Sequence, residues 1–453
     1  MRFLLLALAC CLLASDTLAQ LSLQSSLSND FDAVLANPAI QPSFSSVVRI
    51  GAVHLDGTTN TALQDLGQEV DGDLRLSAVK ASRLTEDVLL SGQYRAQTLG
   101  VNIRRGKHQF GAHHAVRVEL YGNLPNALVQ LAIQGNEPLA GSALQVLPKG
   151  EVTLYHEVGL HYAQQLNPKL ALGGRVKLLA ASANISQLTG SAQVTTAAND
   201  YQLTYALDAS LRTAGLDFNL SEEQYEFDFD YSTIDAGLGA GLDLGVVWRP
   251  RRRWEIALAM SDLGAIFLSD RAREHRATGV GTYAGVEGNV FAEGYEFNLE
   301  TAIDGLRDEA GLSSEPLDYT HQLSPKLAAH LRHRVSDATD LTLSATYDSH
   351  ELGRRGATVG IAQRIGSDFH LAAHVGVVGD ALIYGGRLEV GLGPVGVVVY
   401  SDHIPTLTSL YQQRSAQVGA GLTLRFGRIR AQARQAWFDE EPGGGVTTPD
   451  NYL

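Results

Sequence analysis

From Leu317 to Phe426 apolar and polar positions alternate segment after segment, with only a few residues of turn between most of them. In Leu341-Thr342-Leu343-Ser344-Ala345-Thr346-Tyr347 the odd positions are apolar and the even ones polar, the period of two that sends successive side chains to opposite faces of a sheet. Phe369, Leu371, Ala373, Val375 and Val377 repeat it against His370 and His374. Leu388, Val390 and Leu392 oppose Arg387 and Glu389, and Val418, Ala420, Leu422, Leu424 and Phe426 oppose Gln417, Thr423 and Arg425. The pattern predicts a β-meander that is apolar on one face throughout.

A soluble sandwich shows the same alternation, so two further details decide the reading. The second face is built from Gly, Thr, His, Arg and Glu instead of another apolar set, and short connections alternate with longer ones. Short turns are expected at Ser336-Asp337, Gly366-Ser367-Asp368, Gly393-Pro394 and Gly427, longer ones from Asp348 to Gly356 and from Asp402 to Arg414. Outer-membrane barrels have that asymmetry, with tight periplasmic turns and longer loops outside. Charged or polar residues interrupt every later apolar run, so a membrane location requires a closed barrel, the other fold that satisfies its backbone in lipid.

Upstream, Val47–Leu55 is the first strand candidate. Gly92–Arg104 and His108–Gly122 form a hairpin across Arg105-Gly106-Lys107, and Asn123–Gln134 has helical spacing that stops at Gly135-Asn136. Val152–Tyr162 and Leu170–Ile185 pair across Asn167-Pro168, and Ile234–Trp248 and Trp254–Leu263 across Arg249–Arg253. Asp56–Asp87 reads as a long polar connection, Gln187–Ser232 as a long, partly acidic one in which the pattern dissolves, and Gly264–Asp318 as another long connection with an amphipathic helix near Phe297–Glu309. The expectation is an all-β, transmembrane antiparallel β-barrel of about fourteen strands, an even number, with a periplasmic N-terminus and long extracellular loops. The parity holds if Arg428–Leu453 is a tail. The organisation is then a signal peptide at 1–19, a periplasmic lead-in or plug at 20–45, the barrel at 46–427 and a tail at 428–453.

The signal reading rests on Met1-Arg2, an apolar run from Phe3 to Ala14 and Thr17-Leu18-Ala19, a run too short to span a bilayer. Ala7-Leu8-Ala9 before Cys10 is a weaker hint of lipoprotein processing. Cys10 and Cys11 both lie inside this segment, so the mature chain is expected to use neither disulfides nor thiolate chemistry. A net charge of -14 makes nucleic acid an unsuitable partner. Aromatics, at 7%, are sparse for a barrel with two aromatic girdles.

Several motifs carry a family likeness: Asn37-Pro38-Ala39, the helical segment ending at Gly135-Asn136, Tyr155-His156-Glu157, Gly173-Gly174-Arg175-Val176-Lys177, and Gly419 through Gly427. Together they resemble an uncharacterised family of Bacteroidota outer-membrane barrels. That family looks akin to the long-chain fatty acid transporter class and to barrel components associated with type IX secretion and gliding. The resemblance implies a fourteen-stranded barrel with a periplasmic N-terminus, and it supplies no catalytic residues.

Candidate chemistry is thin. Tyr347-Asp348-Ser349-His350 and Tyr400-Ser401-Asp402-His403 each stand where a strand meets a loop, and a positioned histidine there can act as a general base or join a metal site. Ser, Asp and His also simply begin loops, the reading preferred here. His113-His114 point to opposite faces of a strand, as do His330 and His333. No phosphate-binding loop, metalloprotease helix or nucleophile elbow is present, so no enzyme, cofactor or resident metal is expected.

The expected lumen-facing charges are Arg117, Glu119, Glu157, Arg175, Lys177, Asp243, Glu255, Arg387, Glu389 and Arg425. On the lipid side each cation would cost about 2 to 4 kcal/mol at mid-depth. Asn37, Pro38 and Ala39 are the expected plug, because proline removes ladder donors there. The partners expected are outer-membrane lipid and either a hydrophobic or small solute or envelope proteins. The leading role is a gated or plugged transport barrel, the alternative a docking barrel for secretion or gliding machinery.

Overall fold

The computed structural model describes residues 31–428 apart from 71–72, 187, 217–233, 284–310, 354, 367, 380 and 408–409. The expected signal peptide, the helix near Phe297–Glu309 and the tail beyond Arg428 lie outside the described residues.

Fourteen antiparallel strands close on themselves. In chain order they are β1 (Phe44–Thr59), β2 (Val88–Arg105), β3 (His108–Leu124), β4 (Lys149–Asn167), β5 (Leu170–Ile185), β6 (Gly237–Arg251) and β7 (Trp254–Leu268). The wall continues through β8 (Lys326–Arg334), β9 (Thr339–Asp348), β10 (Arg355–Ile365), β11 (Phe369–Val378), β12 (Ala381–Leu392), β13 (Val395–Ser401) and β14 (Ser415–Arg428). Closure is made at β1, whose Val48 is paired with Val101 of β2 on one side and Leu424 of β14 on the other. Every wall strand therefore has two neighbours and no free edge, the condition for satisfying backbone groups in lipid.

Period two sets the two faces. On β9, Leu341, Leu343 and Tyr347 are 38–49% exposed, while Asp340, Thr342, Ser344, Thr346 and Asp348 are buried. Leu343, Leu371 and Leu422 all lie open on the exterior, so no second described layer covers them. Few as they are, the outward aromatics sit near strand ends. Phe110, Tyr162, Trp248, Trp254, Phe369 and Phe426 are near the turn end, and Phe267, Tyr347 and Tyr384 near the opposite end, where the β11–β12 connection is itself short. No described helix is long and apolar enough to cross a membrane.

Glycine lets long polar side chains lie flat along the inner wall. A Cβ at Gly159 would stand 2.1 Å from the His113 ring, and one at Gly421 would stand 1.7 Å from the Arg49 guanidinium.

All three long connections carry regular structure: Asp56–Asp87 holds a hairpin of Gly67–Val70 and Asp73–Leu76, and the other two share a sheet. Thr189–Thr196 and Leu203–Ala214, in Gln187–Ser232, join Arg273–Tyr283 and Gly311–Pro316, in Gly264–Asp318, in an accessory antiparallel sheet edged by Ala143–Gln145. This sheet stands at the loop end and touches the wall where Thr213 pairs with Ile185 of β5. The first described residues of the lead-in form a helix, α1 (Phe31–Ala36), before the two prolines.

Candidate functional site: an ionic column and a lodged segment

β7 does not keep its alternation. Between Met260 and Leu263 the register against β6 shifts, and Asp262 takes a φ of 62°, in the left-handed region. Strict alternation would turn Asp262 to the exterior; the bulge turns it inward, where it is 3% exposed. The neighbouring ladder breaks at the same height, since β8 proper begins at Lys326 after Leu323-Ser324-Pro325. Proline there has no donor to give.

Asp262 is the hub of a buried cluster. Arg117 grips it with both terminal nitrogens, at 2.8 and 3.0 Å, and Lys177 approaches at 2.5 Å and Lys326 at 3.5 Å. The Asp262 backbone N–H donates to Asp243 Oδ1 at 2.9 Å. Asp243 also receives Arg175 at 2.8 Å and Lys177 at 2.6 Å. Glu119 accepts from Arg117, Lys326, Gln93 and the Tyr155 hydroxyl. Glu157 accepts from Arg117 at 2.9 Å and stands 2.7 Å from His113 Nε2. Four cations, Arg117, Arg175, Lys177 and Lys326, meet four carboxylates, Glu119, Glu157, Asp243 and Asp262, so the cluster is neutral in sum. Such a set is stable only when complete: removing one member leaves an uncompensated buried charge.

Nearer the short turns lies the lead-in. Asn37 Nδ2 donates to the carbonyls of Val246 and Leu258, on β6 and β7, at 3.3 and 3.0 Å. The Ala39 N–H donates to Asn37 Oδ1 at 2.9 Å, which folds Asn37-Pro38-Ala39 into a tight turn. Arg175 of β5 donates to the carbonyls of Val34 and Leu35, and Gln109 of β3 to that of Ile40. Asp32 meets Arg49 of β1 at 2.8 Å and Arg387 of β12 at 3.4 Å. Bonds to strands on both sides of the circle put residues 32–40 inside the barrel.

The wall is relieved to receive this segment. A Cβ on Gly173 would come within 2.5 Å of Pro38 and Ala39, one on Gly245 within 2.1 Å of Asn37 Oδ1, and one on Gly100 within 2.4 Å of the Phe31 ring. Ala33, Ala39 and Ile40 pack with Ala171, Val247 and Ala257. The gap left beside Ala36 and Asn37, toward Ala257, Ala329 and Ser344, is about 10 Å³, at most one water.

Of the charges expected in the lumen, Arg117, Glu119, Glu157, Arg175, Lys177 and Asp243 meet in the one cluster. Glu255 is held apart between Arg332 at 2.8 Å and Arg249 at 2.7 Å. Glu389 and Arg425 pair with each other, and Arg387 holds Asp32. Asp262, Lys326, Asp32 and Arg49 were not anticipated. Pro325, directly before Lys326, was the available signal that a strand starts there, because proline cannot donate to a ladder; Asp262 carries no such mark.

The two loop-start constellations do not assemble catalytic geometry. His350 stacks on Tyr121 at 3.6 Å and its Nδ1 accepts the Leu352 N–H, while His403 Nε2 meets Gln413 at 2.6 Å. Among the described residues neither bonds a serine, and none of the His, Asp and Glu side chains form a metal-holding group.

The sequence matches a family of unknown function, DUF5723, over residues 38–402. The chain belongs to that family. No curated protein matches the sequence. Among solved structures, a Pseudomonas aeruginosa FadL homologue is similar at 12% identity, with 92% of this chain and 100% of that chain covered and a TM-score of 0.45. The Pseudomonas putida toluene transporter TodX is similar at 12% identity, with 88% and 94% covered and a TM-score of 0.44. An outer-membrane channel from Pseudomonas putida F1 is similar at 10% identity, with 84% and 96% covered and a TM-score of 0.34.

Proposed function

We propose that this member of DUF5723 is an outer-membrane barrel that passes hydrophobic or small solutes, and that residues 31–41 are its plug. The observation that carries the reading is the lodging of that segment inside the wall, bonded to β1, β3, β5, β6, β7 and β12 and seated on glycines. A wide water-filled pore does not fit a lumen crossed by this segment and by the ionic cluster above it. The narrower path is assigned to β9 to β11, where Thr342, Ser344, Thr346, Thr358, Ala362 and Ala372 face inward beside the rings of His370 and His374.

The test is flux into lipid vesicles carrying the purified chain. An apolar fluorescent solute should enter faster than into protein-free vesicles, while small sugars should not swell them. Rapid swelling in sugar together with large steady conductance in planar bilayers would defeat the plugged reading. The accessory sheet at the loop end favours a second role, docking of envelope proteins such as secretion or gliding machinery. A stoichiometric partner captured by mild crosslinking, without apolar flux, would favour docking over transport.

A further inference from the structure

Charge is distributed unevenly around the turn end. Three successive turns, β2–β3, β4–β5 and β6–β7, present Arg105, Lys107, Lys169, Arg251, Arg252 and Arg253, all exposed. The turns lie side by side: the Gln165 N–H donates to the Lys107 carbonyl, and the Arg249 N–H to the Lys169 carbonyl. Among the described residues no carboxylate pairs with these six side chains. The chain as a whole carries -14, so this arc runs against its background.

The other half of the same rim is different. The β8–β9 and β10–β11 turns expose Asp337 and Asp368, and the β12–β13 turn is Gly393-Pro394. The arginines that flank them, Arg334 and Arg364, are half-buried and share Asp340, at 3.5 and 3.9 Å. Among the described side chains the exposed cations of this rim are therefore confined to one arc, whereas arginines that merely marked the edge of the membrane would recur around the whole circumference.

The same arc carries an outward aromatic shelf directly beneath the cations. Phe110, Tyr162, Trp248 and Trp254 are 36–52% exposed there, and Phe110 and Tyr162 are in ring contact at 5.1 Å. Amphipathic rings of this kind settle at headgroup depth, and cations just beyond them reach the phosphate plane. Both charge and depth then match one occupant.

The geometry points to a binding surface for anionic phospholipid headgroups, formed by Arg105, Lys107, Lys169 and Arg251–Arg253 over the shelf of Trp248 and Trp254, in whichever leaflet the turn end meets. Attraction of this type grows with each cation near an anionic surface and fades with screening. It does not depend on the plug or on what the barrel carries.

Trp437 is the third tryptophan of the chain, so a Trp437→Phe background leaves fluorescence to Trp248 and Trp254, both on the arc. The full chain is reconstituted with phosphatidylglycerol or phosphatidylcholine bearing identical brominated acyl chains, in mixed vesicles, and quenching gives the relative affinity of the two headgroups. Phosphatidylglycerol should be preferred about fivefold or more in low salt, with the preference collapsing toward one in about 0.5 M NaCl. Neutralising all six cations to Gln should abolish it, neutralising Arg251–Arg253 alone should give an intermediate value, and changing those three to Lys should retain it. Heat-modifiable migration on a gel confirms that each variant is folded. Equal quenching by both lipids in the parent would overturn the inference, as would a preference that survives loss of all six cations. So would a preference that appears only after Asp439, Glu440 and Glu441 are made neutral, since the acidic tail would then be the occupant.

Discussion

Strands β3 to β8 and strands β9 to β11 belong to one wall, yet their inner faces do opposite things. The first arc packs α1 and Asn37-Pro38-Ala39 near the turns and eight charged side chains above them. At its loop end Tyr155, Leu179, Ile266, Leu268, Tyr319 and Leu323 form a buried hydrophobic cluster, with the two tyrosine hydroxyls donating to Glu119 and Asn184. The second arc presents Thr342, Ser344, Thr346, Thr358, Ala362 and Ala372, with His370 and His374 on β11 and Asp340 and Asp348 at the ends of β9. A uniform coat of residues around the circle would make either an open pore or a solid core. Loading one arc and thinning the other braces the wall and, on the proposed function, leaves a side along which a solute can pass.

The contrast can be broken most severely at Asp262. Asp262→Ala leaves Arg117, Lys177 and Lys326 with one carboxylate too few in a dry site, and should cost about 3 to 5 kcal/mol. Ser344→Ala on the thin arc removes one bond to the ring of His330, at 2.7 Å, and should cost about 1 to 2 kcal/mol, clearly less than Asp262→Ala. Urea unfolding in detergent measures both, and a mild Asp262→Ala variant would show that the column is not the brace.

A bulky residue on the thin arc tests the other half. Thr342→Trp should leave stability within about 1 to 3 kcal/mol of the parent and cut apolar flux by more than half. Unchanged flux would place the path elsewhere.

The smallest effect expected is on the β13–β14 loop. Burial disfavours the charged imidazole of His403, and the bond to Gln413 offsets this only in part, so its pKa lies below the ordinary histidine value. The opened loop then binds the proton more readily than the closed one, so stability of the closed loop is present above the ordinary histidine pKa of about 6.5 and falls as pH drops through it. Hydrogen exchange at 402–407, corrected for intrinsic rates, should accelerate at acid pH, and His403→Gln should remove the difference.

How much of this could be read from the chain follows from the physics of each part. The wall strands were legible because lipid on one side and polar lumen on the other impose a strict period of two. Six members of the cluster, three cations and three carboxylates, stand on the polar face that alternation marks, because a charge on the lipid side of such a wall is costly. Asp262 was not, since one bulge residue reverses its side and alternation carries no mark of it. Asp32 lies on a short helix whose apolar Phe31, Val34 and Leu35 show no strand period. Its burial depends on contacts with Arg49 and Arg387, distant in sequence. In the accessory sheet, Leu203, Tyr205, Leu207, Ala209 and Leu211 do alternate with their neighbours, a signal present within a stretch read as one long connection. Thr189–Thr196 carries no such signal, for most of its positions are polar or small.

The lodged segment is where the account is most directly exposed. Gly173→Val with Gly245→Val would drive side chains into Pro38, Ala39 and Asn37, with little change to the wall itself. Single-channel recording in planar bilayers should then find the parent closed and the folded double variant open, with steady conductance. A parent that conducts freely, or a folded double variant as silent as the parent, would contradict the claim that residues 31–41 occlude the lumen.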